Sequence, residues 1–235
     1  MTEPDAPARK ARKRKVRRAR KQRLDPKVIG QAARTYEVLR ETYPDADCAL
    51  HFRSPFELLV STILSAQCTD ARVNLVTPAL FAALPTPAAM AAAPIELLET
   101  LIRSTGFFHN KAKSLKGCAT RLVEAYGGVV PSGMDDLLTL PGVARKTANV
   151  VRGVAFQLAD GVVVDTHVLR LSHRLGWANG KTPEQVEREL MALFPHEIWI
   201  HLAHMLTHHG RRLCSARKPR CTECPVNQTC PSSLA

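Results

Sequence analysis

Four cysteines near the C-terminus constrain this chain more than any other feature of its sequence. Cys214, Cys221, Cys224 and Cys230 follow a C-x6-C-x2-C-x5-C spacing within one short basic loop. Clustered thiols are the usual ligands of structural zinc and of iron–sulfur clusters, whereas disulfide frameworks are typical of smaller secreted chains. The spacing therefore predicts a metal centre that fixes the conformation of this loop.

The composition predicts a globular protein. The chain has 235 residues, of which 45% are hydrophobic, enough for one or two domains with a real core. The most apolar span, residues 88–101, is broken by Pro94, so no membrane segment is predicted and we expect a soluble intracellular protein. Cys48, Cys68 and Cys118 stand singly and are expected to be small buried apolar side chains.

The positive charge is concentrated at the N-terminus. Eleven of the fifteen residues from Arg9 to Arg23 are Lys or Arg, and taking these and the acids Glu3 and Asp5 from the formal charge of +12 leaves +3. A block of like charges without apolar periodicity predicts a disordered basic arm over residues 1–24. A polyanion is its expected partner, because neutralised phosphates release counterions. The alternative is a solvated tail or a targeting signal.

Helix start signals recur along the rest of the chain. A capping residue precedes a proline at 25–26, 54–55, 86–87 and 182–183, and Ser54 with Glu57 and Thr182 with Gln185 fit the capping box. Glycines at 127–128, 176 and 210 follow helical patterns and predict helix ends. The only strand-like run, 162–164, is too short to found a sheet. The predicted fold class is all-α.

A hairpin between two predicted helices has the chemistry of a phosphate site. In L-P-G-V-A-R-K-T-A, residues 140–148, Gly142 makes a tight turn, and the next helix begins with free N–H groups near Thr147 that can hold a phosphate without reading a base. Lys146 lies in the first turn, where the helix dipole disfavours an ammonium, so its amine is expected to be a good nucleophile. The alternative is that Lys146 contacts only a phosphate.

Asp165 ends the run V-V-V-D and precedes a helical segment, so by position it is an N-cap. Its carboxylate can satisfy the free N–H groups of that helix and still face the hairpin. Capping and catalysis are therefore compatible roles, and spacing alone does not choose between them.

These motifs together resemble the endonuclease III family of DNA glycosylases. The hairpin, the V-D-T-H of residues 164–167 and the cysteine loop occur in the family's order, and S-P-F-E-L-L from Ser54 and L-S-A-Q-C-T-D from Leu64 are also similar to it. The resemblance covers about residues 25–230 and leaves the basic arm outside. These motifs in register are specific, although each one alone is weak.

The resemblance implies two helical domains of the helix-hairpin-helix DNA glycosylase type, with DNA held in the cleft between them. Residues 48–158 would form a six-helix barrel domain that ends with the hairpin. Residues 25–47 and 159–235 would form the second domain, with a [4Fe-4S] cluster on the four cysteines. On spacing alone zinc remains open.

The resemblance also implies the reaction and its substrates. A damaged base is inaccessible inside a duplex, so the nucleotide is rotated into a pocket. Lys146 would attack the sugar C1′ and form a Schiff base, Asp165 would stabilise positive charge on the sugar, and β-elimination would cut the strand. Because the related adenine glycosylases typically lack the lysine, oxidised or ring-saturated pyrimidines are the expected substrates.

Further residues are expected to contact DNA. By the family pattern Gln67 fills the gap left by the extruded nucleotide, and Phe107 is the candidate apolar wedge, with a core position as the alternative. His109 and His167 lie at places near the expected pocket. In the cysteine loop Arg217, Lys218 and Arg220 are spaced to meet phosphates.

One hairpin position departs from the family. Ala144 stands where a second glycine is usual, and its methyl group tolerates a positive φ poorly. A hairpin with a normal right-handed angle at this position stays open, and an altered grip on DNA is expected. His201, His204 and His208 share a helical face but lack a further ligand nearby, and no metal is predicted there.

The expected partner is double-stranded DNA with damaged pyrimidines or abasic sites, bound by a monomer. The expected location is the bacterial cytoplasm, at the nucleoid, or the nucleus if the source is eukaryotic. Three alternatives stay open at this point: a monofunctional adenine-type glycosylase, a non-catalytic DNA-binding module and a metal-sensing regulator.

Overall fold

A computed structural model describes residues 25–235, so the basic arm predicted over residues 1–24 lies outside the described residues. The described part contains eleven α-helices and no β-strand, which confirms the all-α prediction. The helices are α1 (Pro26–Thr42), α2 (Pro55–Leu64), α3 (Asp70–Ala83), α4 (Pro87–Ala92), α5 (Ile95–Ile102), α6 (Phe108–Tyr126), α7 (Met134–Leu138), α8 (Arg145–Phe156), α9 (Thr166–Arg174), α10 (Pro183–Leu193) and α11 (Trp199–Arg212). Short 3₁₀ turns lie at Arg103–Thr105, His196–Ile198 and Cys221–Glu223.

All four predicted helix starts occur where the sequence placed them. Asp25, Ser54, Thr86 and Thr182 each accept a hydrogen bond from the backbone of the first turn of α1, α2, α4 and α10. The capping box of α10 is complete. At α2 the Glu57 carboxylate instead accepts from the Arg53 backbone N–H at 2.7 Å, so the second half of that predicted box is displaced by one residue.

Two of the predicted helix ends are correct and one is wrong. Gly127 caps α6 in a left-handed conformation with φ of 60°, and Gly176 follows α9 with φ of 70°. Gly210 instead lies buried inside α11. A Cβ at Gly210 would lie 2.8 Å from Nδ1 of His167 and 3.1 Å from Nη2 of Arg170, so this glycine permits close contact between α11 and α9. It is required for packing and does not end the helix.

The first of two hydrophobic cores lies among the helices α2 to α8. Its buried residues run from Leu50 to Val151 along the chain. This region was expected to be a six-helix barrel and holds seven α-helices, because Pro94 separates the six-residue α4 from α5. The longest helix of the region, α6, packs against both α4 and α5.

The second core joins the two ends of the described chain. Buried side chains of α1, from Ala32 to Tyr43, pack with residues between Val162 and Val226. Polar contacts reinforce this junction: the Trp177 indole N–H donates to Oε1 of Gln31 at 3.0 Å, and the Gln31 amide donates to the Thr229 carbonyl at 2.7 Å. Residues far apart in sequence therefore form one helical unit around the cysteine loop.

Two features of the described residues bear on the remaining sequence expectations. Within residues 25–235, no helix is both long and apolar enough to span a membrane.

Of the three isolated cysteines, Cys118 is buried, and burial raises its pKa to about 12. Cys48 and Cys68 are only partly buried, so the expectation of a buried site is wrong for these two, which flank the ends of α2.

Candidate active site and cysteine loop

The hairpin between α7 and α8 packs against α6. Leu140 and Val143 are buried on either side of the turn, and the Val143 N–H donates to the Leu140 carbonyl at 3.1 Å. Gly142 has φ of 81°, and a Cβ there would lie 2.8 Å from Cβ of Ser114 on α6. Both the left-handed backbone and the close approach require glycine at this position.

The helix α8 starts without a side-chain cap. Ala144 is its N-cap residue, with φ of −93° and ψ of 169°, and no side chain in the described part of the chain accepts from the first turn. Because its φ is negative, Ala144 avoids the left-handed conformation that its methyl group would oppose. The first N–H groups of α8 therefore face solvent, which favours an external anion at this end of the helix.

Lys146 is exposed in the first turn of α8. Thr147 beside it is half-buried, and Ala148 is buried in the first core, so the helix turns its lysine face outward. An amine held on a well-packed helix and open to solvent is accessible to a substrate that docks on the hairpin.

Asp165 divides its two carboxylate oxygens between two roles. Oδ1 accepts from the backbone N–H groups of His167 and Val168, each at 2.8 Å, and so caps α9. Oδ2 lies 3.5 Å from the Thr207 hydroxyl, which donates to the Ala203 carbonyl at the shorter distance of 2.9 Å. Oδ2 is therefore only weakly engaged. Sequence reasoning missed Thr207, since no spacing pattern relates positions 42 residues apart.

His167 is half-buried against α11 and packed beside an arginine. Its Nδ1 lies 3.1 Å from Nη2 of Arg170, which also donates to the carbonyls of Gly210 and Cys214. Burial lowers the pKa of His167, and the nearby Asp165 carboxylate acts in the opposite direction. Burial therefore disfavours the charged form of this ring at the start of α9.

The two residues expected to enter DNA share an unusual backbone. Gln67 has φ of 52° and Phe107 has φ of 49°, and both are exposed. The Phe107 ring is 65% exposed, so the alternative that it is a core residue is wrong, and Phe108 is the aromatic of this pair that packs on the first core. A left-handed non-glycine residue costs free energy that the surrounding structure must supply.

His109 has an internal partner. Its Nδ1 lies 2.8 Å from the Glu99 carboxylate of α5, and its ring stacks beside Phe108 with centroids 4.1 Å apart. The guanidinium of Arg103 lies over the other side of this aromatic pair, 5.5 Å from the Phe108 centroid. His109 therefore supports the segment after Phe107, and its imidazole is only partly free for other contacts.

All four loop cysteines line one pocket, which Leu171, His209 and Val226 also line. Within residues 25–235 no three metal-binding side chains stand close enough to form a ready metal site. Burial raises the pKa of both Cys224 and Cys230, and the other loop cysteines raise it further. Thiols that line one pocket and disfavour one another as thiolates suit a cationic centre that would compensate their charge.

Two side chains from outside the loop, Arg174 and His209, contact these thiols. Arg174 donates to the Cys214 sulfur at 3.1 Å and to the carbonyls of Ser215 and Ala216. His209 is buried between Tyr43 and Cys224, and burial lowers its pKa to about 4. Neither contact was visible from the sequence, because Arg174 and the loop come from separate elements.

The three cations of the cysteine loop differ in their freedom. Arg217, Lys218 and Arg220 are all exposed. Arg220 is tied within the loop, since its guanidinium lies 3.0 Å from Glu223. The Ser215 hydroxyl donates to the Lys218 carbonyl at 2.6 Å and shapes the backbone between them. Arg217 and Lys218 are therefore the better placed of the three to meet a phosphate.

Comparison with known proteins identifies the class. Residues 60–196 match the profile of the HhH-GPD superfamily base excision DNA repair proteins. This span runs from α2 through the hairpin and past Asp165 to the end of α10, so it includes both candidate catalytic residues. The chain therefore belongs to the HhH-GPD superfamily.

The relatives place the chain more closely. It is 52% identical over 198 residues to the endonuclease III of Synechocystis sp., which covers 84% of this chain and 90% of that protein. It is similar in structure to a trapped endonuclease III–DNA covalent intermediate, an estranged-adenine complex, with TM-score 0.82, 43% identity and coverage of 87% and 96%. A non-covalent endonuclease III–DNA complex gives TM-score 0.83 at 42% identity over the same shares. The chain is a member of the endonuclease III family, as its motifs predicted.

Family membership confirms the activity class that the sequence predicted. The protein is a base-excision DNA repair enzyme, a DNA glycosylase that also cleaves abasic sites. The non-catalytic DNA-binding module and the metal-sensing regulator are thereby set aside.

Proposed function

We propose that Lys146 supplies the nucleophile of this enzyme and that its substrates are oxidised or ring-saturated pyrimidines in duplex DNA. The observation that carries the proposal is the exposed lysine in the first turn of α8, at a helix start that no described side chain caps. A DNA phosphate held by the uncapped N–H groups in the first turn of α8 would bring the sugar of the damaged nucleotide to the same face.

The chemistry proceeds by exchange of bonds at the sugar. The neutral Lys146 amine forms a bond to C1′ as the damaged base leaves with the bonding electrons and takes up a proton. Opening of the sugar ring gives a protonated Schiff base. Loss of a 2′ proton then breaks the bond to the 3′ oxygen, and water hydrolyses the imine to release Lys146. One residue thereby serves both base removal and strand cleavage.

Asp165 would stabilise the positive charge that develops on the sugar. Its Oδ1 is held in place by two backbone N–H groups of α9, which leaves Oδ2 with only the long contact to Thr207. A carboxylate fixed by the fold and free at one oxygen needs no reorganisation during the reaction. His167, which follows two residues later, would line the same cleft.

The contacts with DNA divide by purpose. Exposed Gln67 and Phe107 would fill the space of the extruded nucleotide, and His109 would stand beside them. Gly142, Ala144 and Thr147 would present backbone groups to one phosphate, and Arg217 and Lys218 would meet others, with a smaller share for Arg220. Such phosphate contacts position the protein without reading sequence.

The four cysteines would hold a [4Fe-4S] cluster. A shared pocket, partly buried thiols and an arginine on Cys214 support this assignment. The cluster supplies structure here, because neither hydrolysis nor elimination requires electron transfer. Iron and inorganic sulfide content with visible charge-transfer absorbance tests it, and zinc in place of iron would contradict it.

The test of function is borohydride trapping on matched duplexes that carry thymine glycol, an adenine mispaired with oxidised guanine, an abasic site or no lesion. The proposal expects a Lys146-dependent adduct on thymine glycol and on the abasic site. Base release from the mispair without an adduct on any duplex would point to an adenine-type monofunctional glycosylase. An adduct that persists at the wild-type level in Lys146→Ala would overturn the assignment of the nucleophile.

A further inference from the structure

We infer that Lys111 is a positioning residue that holds both DNA-inserting residues, Gln67 and Phe107, in place through one buried ammonium. The inference rests on the proposed function, since it concerns how the insertion residues act. Lys111 lies on α6, is 6% exposed, and is a lysine where the helix otherwise buries apolar side chains.

The ammonium of Lys111 joins two segments that are distant in sequence. Its Nζ donates to the carbonyl of Leu64 at 2.8 Å and to the carbonyl of Thr105 at 2.8 Å. One ammonium therefore bridges the two carbonyl oxygens and keeps the two segments side by side. Leu64 is the last residue of α2, and Thr105 is the last residue of a 3₁₀ turn.

Each of these segments leads directly to an insertion residue. Gln67 follows Leu64 by three residues, and Phe107 follows Thr105 by two. Gln67 and Phe107 are two of the three non-glycine residues with positive φ within residues 25–235. The same ammonium thus anchors the two short segments whose backbones are forced into a costly conformation.

The chemistry of the site suits this role. The terminal carbonyls of a helix lack intrahelical partners and carry the negative end of its dipole, so a cation is stabilised there. Burial lowers the pKa of Lys111 and the nearby Cys68 acts in the opposite direction. Both carbonyls are strong acceptors, and an apolar side chain in place of Lys111 would leave them buried without a donor.

The helix α6 also connects this anchor with the phosphate site. Three residues after Lys111, Ser114 contacts Gly142 of the hairpin, and Gly117 lies beneath Pro141. Phe107 itself is the N-cap residue of α6. Phe107 therefore lies at the start of α6, the hairpin packs on α6, and the segment before Gln67 is bound to α6 through Lys111. A shift at Lys111 would misplace the insertion residues relative to the hairpin that binds the phosphate.

The test compares Lys111→Met with Lys116→Met as the matched control. Lys116 lies on the same helix and donates to the Ala93 carbonyl, away from both insertion segments. Each variant is made in the wild-type background and in a Gln67→Ala, Phe107→Ala background. Insertion is followed by fluorescence of 2-aminopurine opposite the lesion, and catalysis by strand cleavage of duplex and by trapping on a single-stranded abasic oligonucleotide.

Lys111→Met is expected to lower insertion and duplex cleavage by about 10- to 100-fold, the size of effect that a displacement near 1 Å produces. Trapping on the single strand, where no opposing base must be displaced, should stay within about twofold of wild type, and Lys116→Met should match wild type throughout. In the background without the insertion side chains, Lys111→Met should cause no further loss, because the residues act as one unit.

Lys111→Met could instead lower activity as much in that background as in the wild-type background, or as much on the single strand as on the duplex. Either result would show that Lys111 merely supports the fold and would overturn the inference. Wild-type insertion by Lys111→Met would do the same. If Lys111→Met does not fold, Lys111→Gln replaces it in the same cycle. Its amide is uncharged and its side chain is one atom shorter than that of lysine, so it should hold the two carbonyls less firmly and give a smaller loss of the same pattern. Failure of wild-type protein to form any Lys146-dependent adduct would count against the proposed function instead.

Discussion

The starts of α8 and α9 have nearly the same backbone and opposite chemistry. Ala144 before α8 has φ of −93° and ψ of 169°, and Asp165 before α9 has φ of −95° and ψ of −174°. At α9 a carboxylate accepts from two N–H groups, whereas no side chain within residues 25–235 caps α8. The two helix starts therefore share a backbone conformation, but the protein caps the first N–H groups only at α9.

The difference teaches how a fold assigns a binding role and a catalytic role to similar elements. An uncapped start leaves partial positive charge for an external anion, so α8 is suited to a phosphate with Lys146 beside it. A capped start fixes its own carboxylate, so α9 holds Asp165 in one orientation. The helix α8 thus supplies the phosphate site and the nucleophile, and α9 supplies a carboxylate that is already held in position.

Replacing Lys146 tests the role of the uncapped start of α8 and should have the largest effect on activity. Lys146→Ala should abolish the covalent adduct and strand cleavage, because no other amine stands in that turn, while the melting temperature stays near that of wild type since the side chain is exposed. Lys27→Ala is the matched control, because Lys27 is the second residue of α1, which Asp25 caps. Loss of the adduct in both variants would contradict the special role of α8.

Replacing Asp165 separates the cap from the chemistry at the closed start. Asn caps helices about as well as Asp, so Asp165→Asn should keep stability while activity falls by about 10²- to 10⁴-fold. Asp165→Ala should also lose about 1 kcal/mol of the free energy of unfolding. Denaturant melts and single-turnover cleavage measure both quantities, and equal loss of stability in Asn and Ala would break the comparison.

The hairpin glycine gives a smaller effect, on stability and DNA affinity together. Gly142→Ala should lower the free energy of unfolding by about 1–3 kcal/mol, because its φ is left-handed and its new methyl would meet Ser114. Gly128→Ala is the control, because Gly128 shares the left-handed backbone, with φ of 78°, but an added Cβ there would meet no atom within 4 Å. Urea melts with fluorescence anisotropy on abasic duplex measure the outcome, and an unchanged Gly142→Ala would show that the hairpin can relax.

Much of this arrangement was predictable from local sequence, as the four capping residues at helix starts and the glycine at φ of 60° after α6 show. These signals act within a few residues. Gly210 misled the sequence analysis because its requirement comes from α9, which contacts it across the second core. Lys111 was missed for the same reason, although its place among the buried positions of α6 was a signal that could have been used.

The candidate site follows the same division. Lys146 and Asp165 were identifiable because each stands in a motif that includes its own helix start. Their environments were not: Thr207 beside Asp165 and Arg174 beside Cys214 come from other elements. The sequence also left the backbone angle of Ala144 open, since only the folded hairpin decides the sign of φ at that position.

Adding a side-chain cap to the start of α8 should have the smallest effect of these changes. It would make this helix start resemble the capped start of α9. Ala144→Asp should cap the helix and stabilise the fold by about 0.5–1 kcal/mol, because the backbone already has N-cap geometry. Its charge should weaken DNA binding by a few-fold and reduce the salt dependence by about one phosphate contact. Ala144→Asn, which caps without charge, is the control, and binding titrations over a range of salt decide the result.

The central claim is that the Lys146 amine forms the bond to DNA, and mapping the reduced adduct tests it most directly. The wild-type protein is trapped with borohydride on a thymine glycol duplex, digested with protease and nuclease, and the peptide that carries the sugar remnant is sequenced by mass spectrometry. The account predicts the remnant on Lys146. A remnant on any other amine of the chain would contradict it.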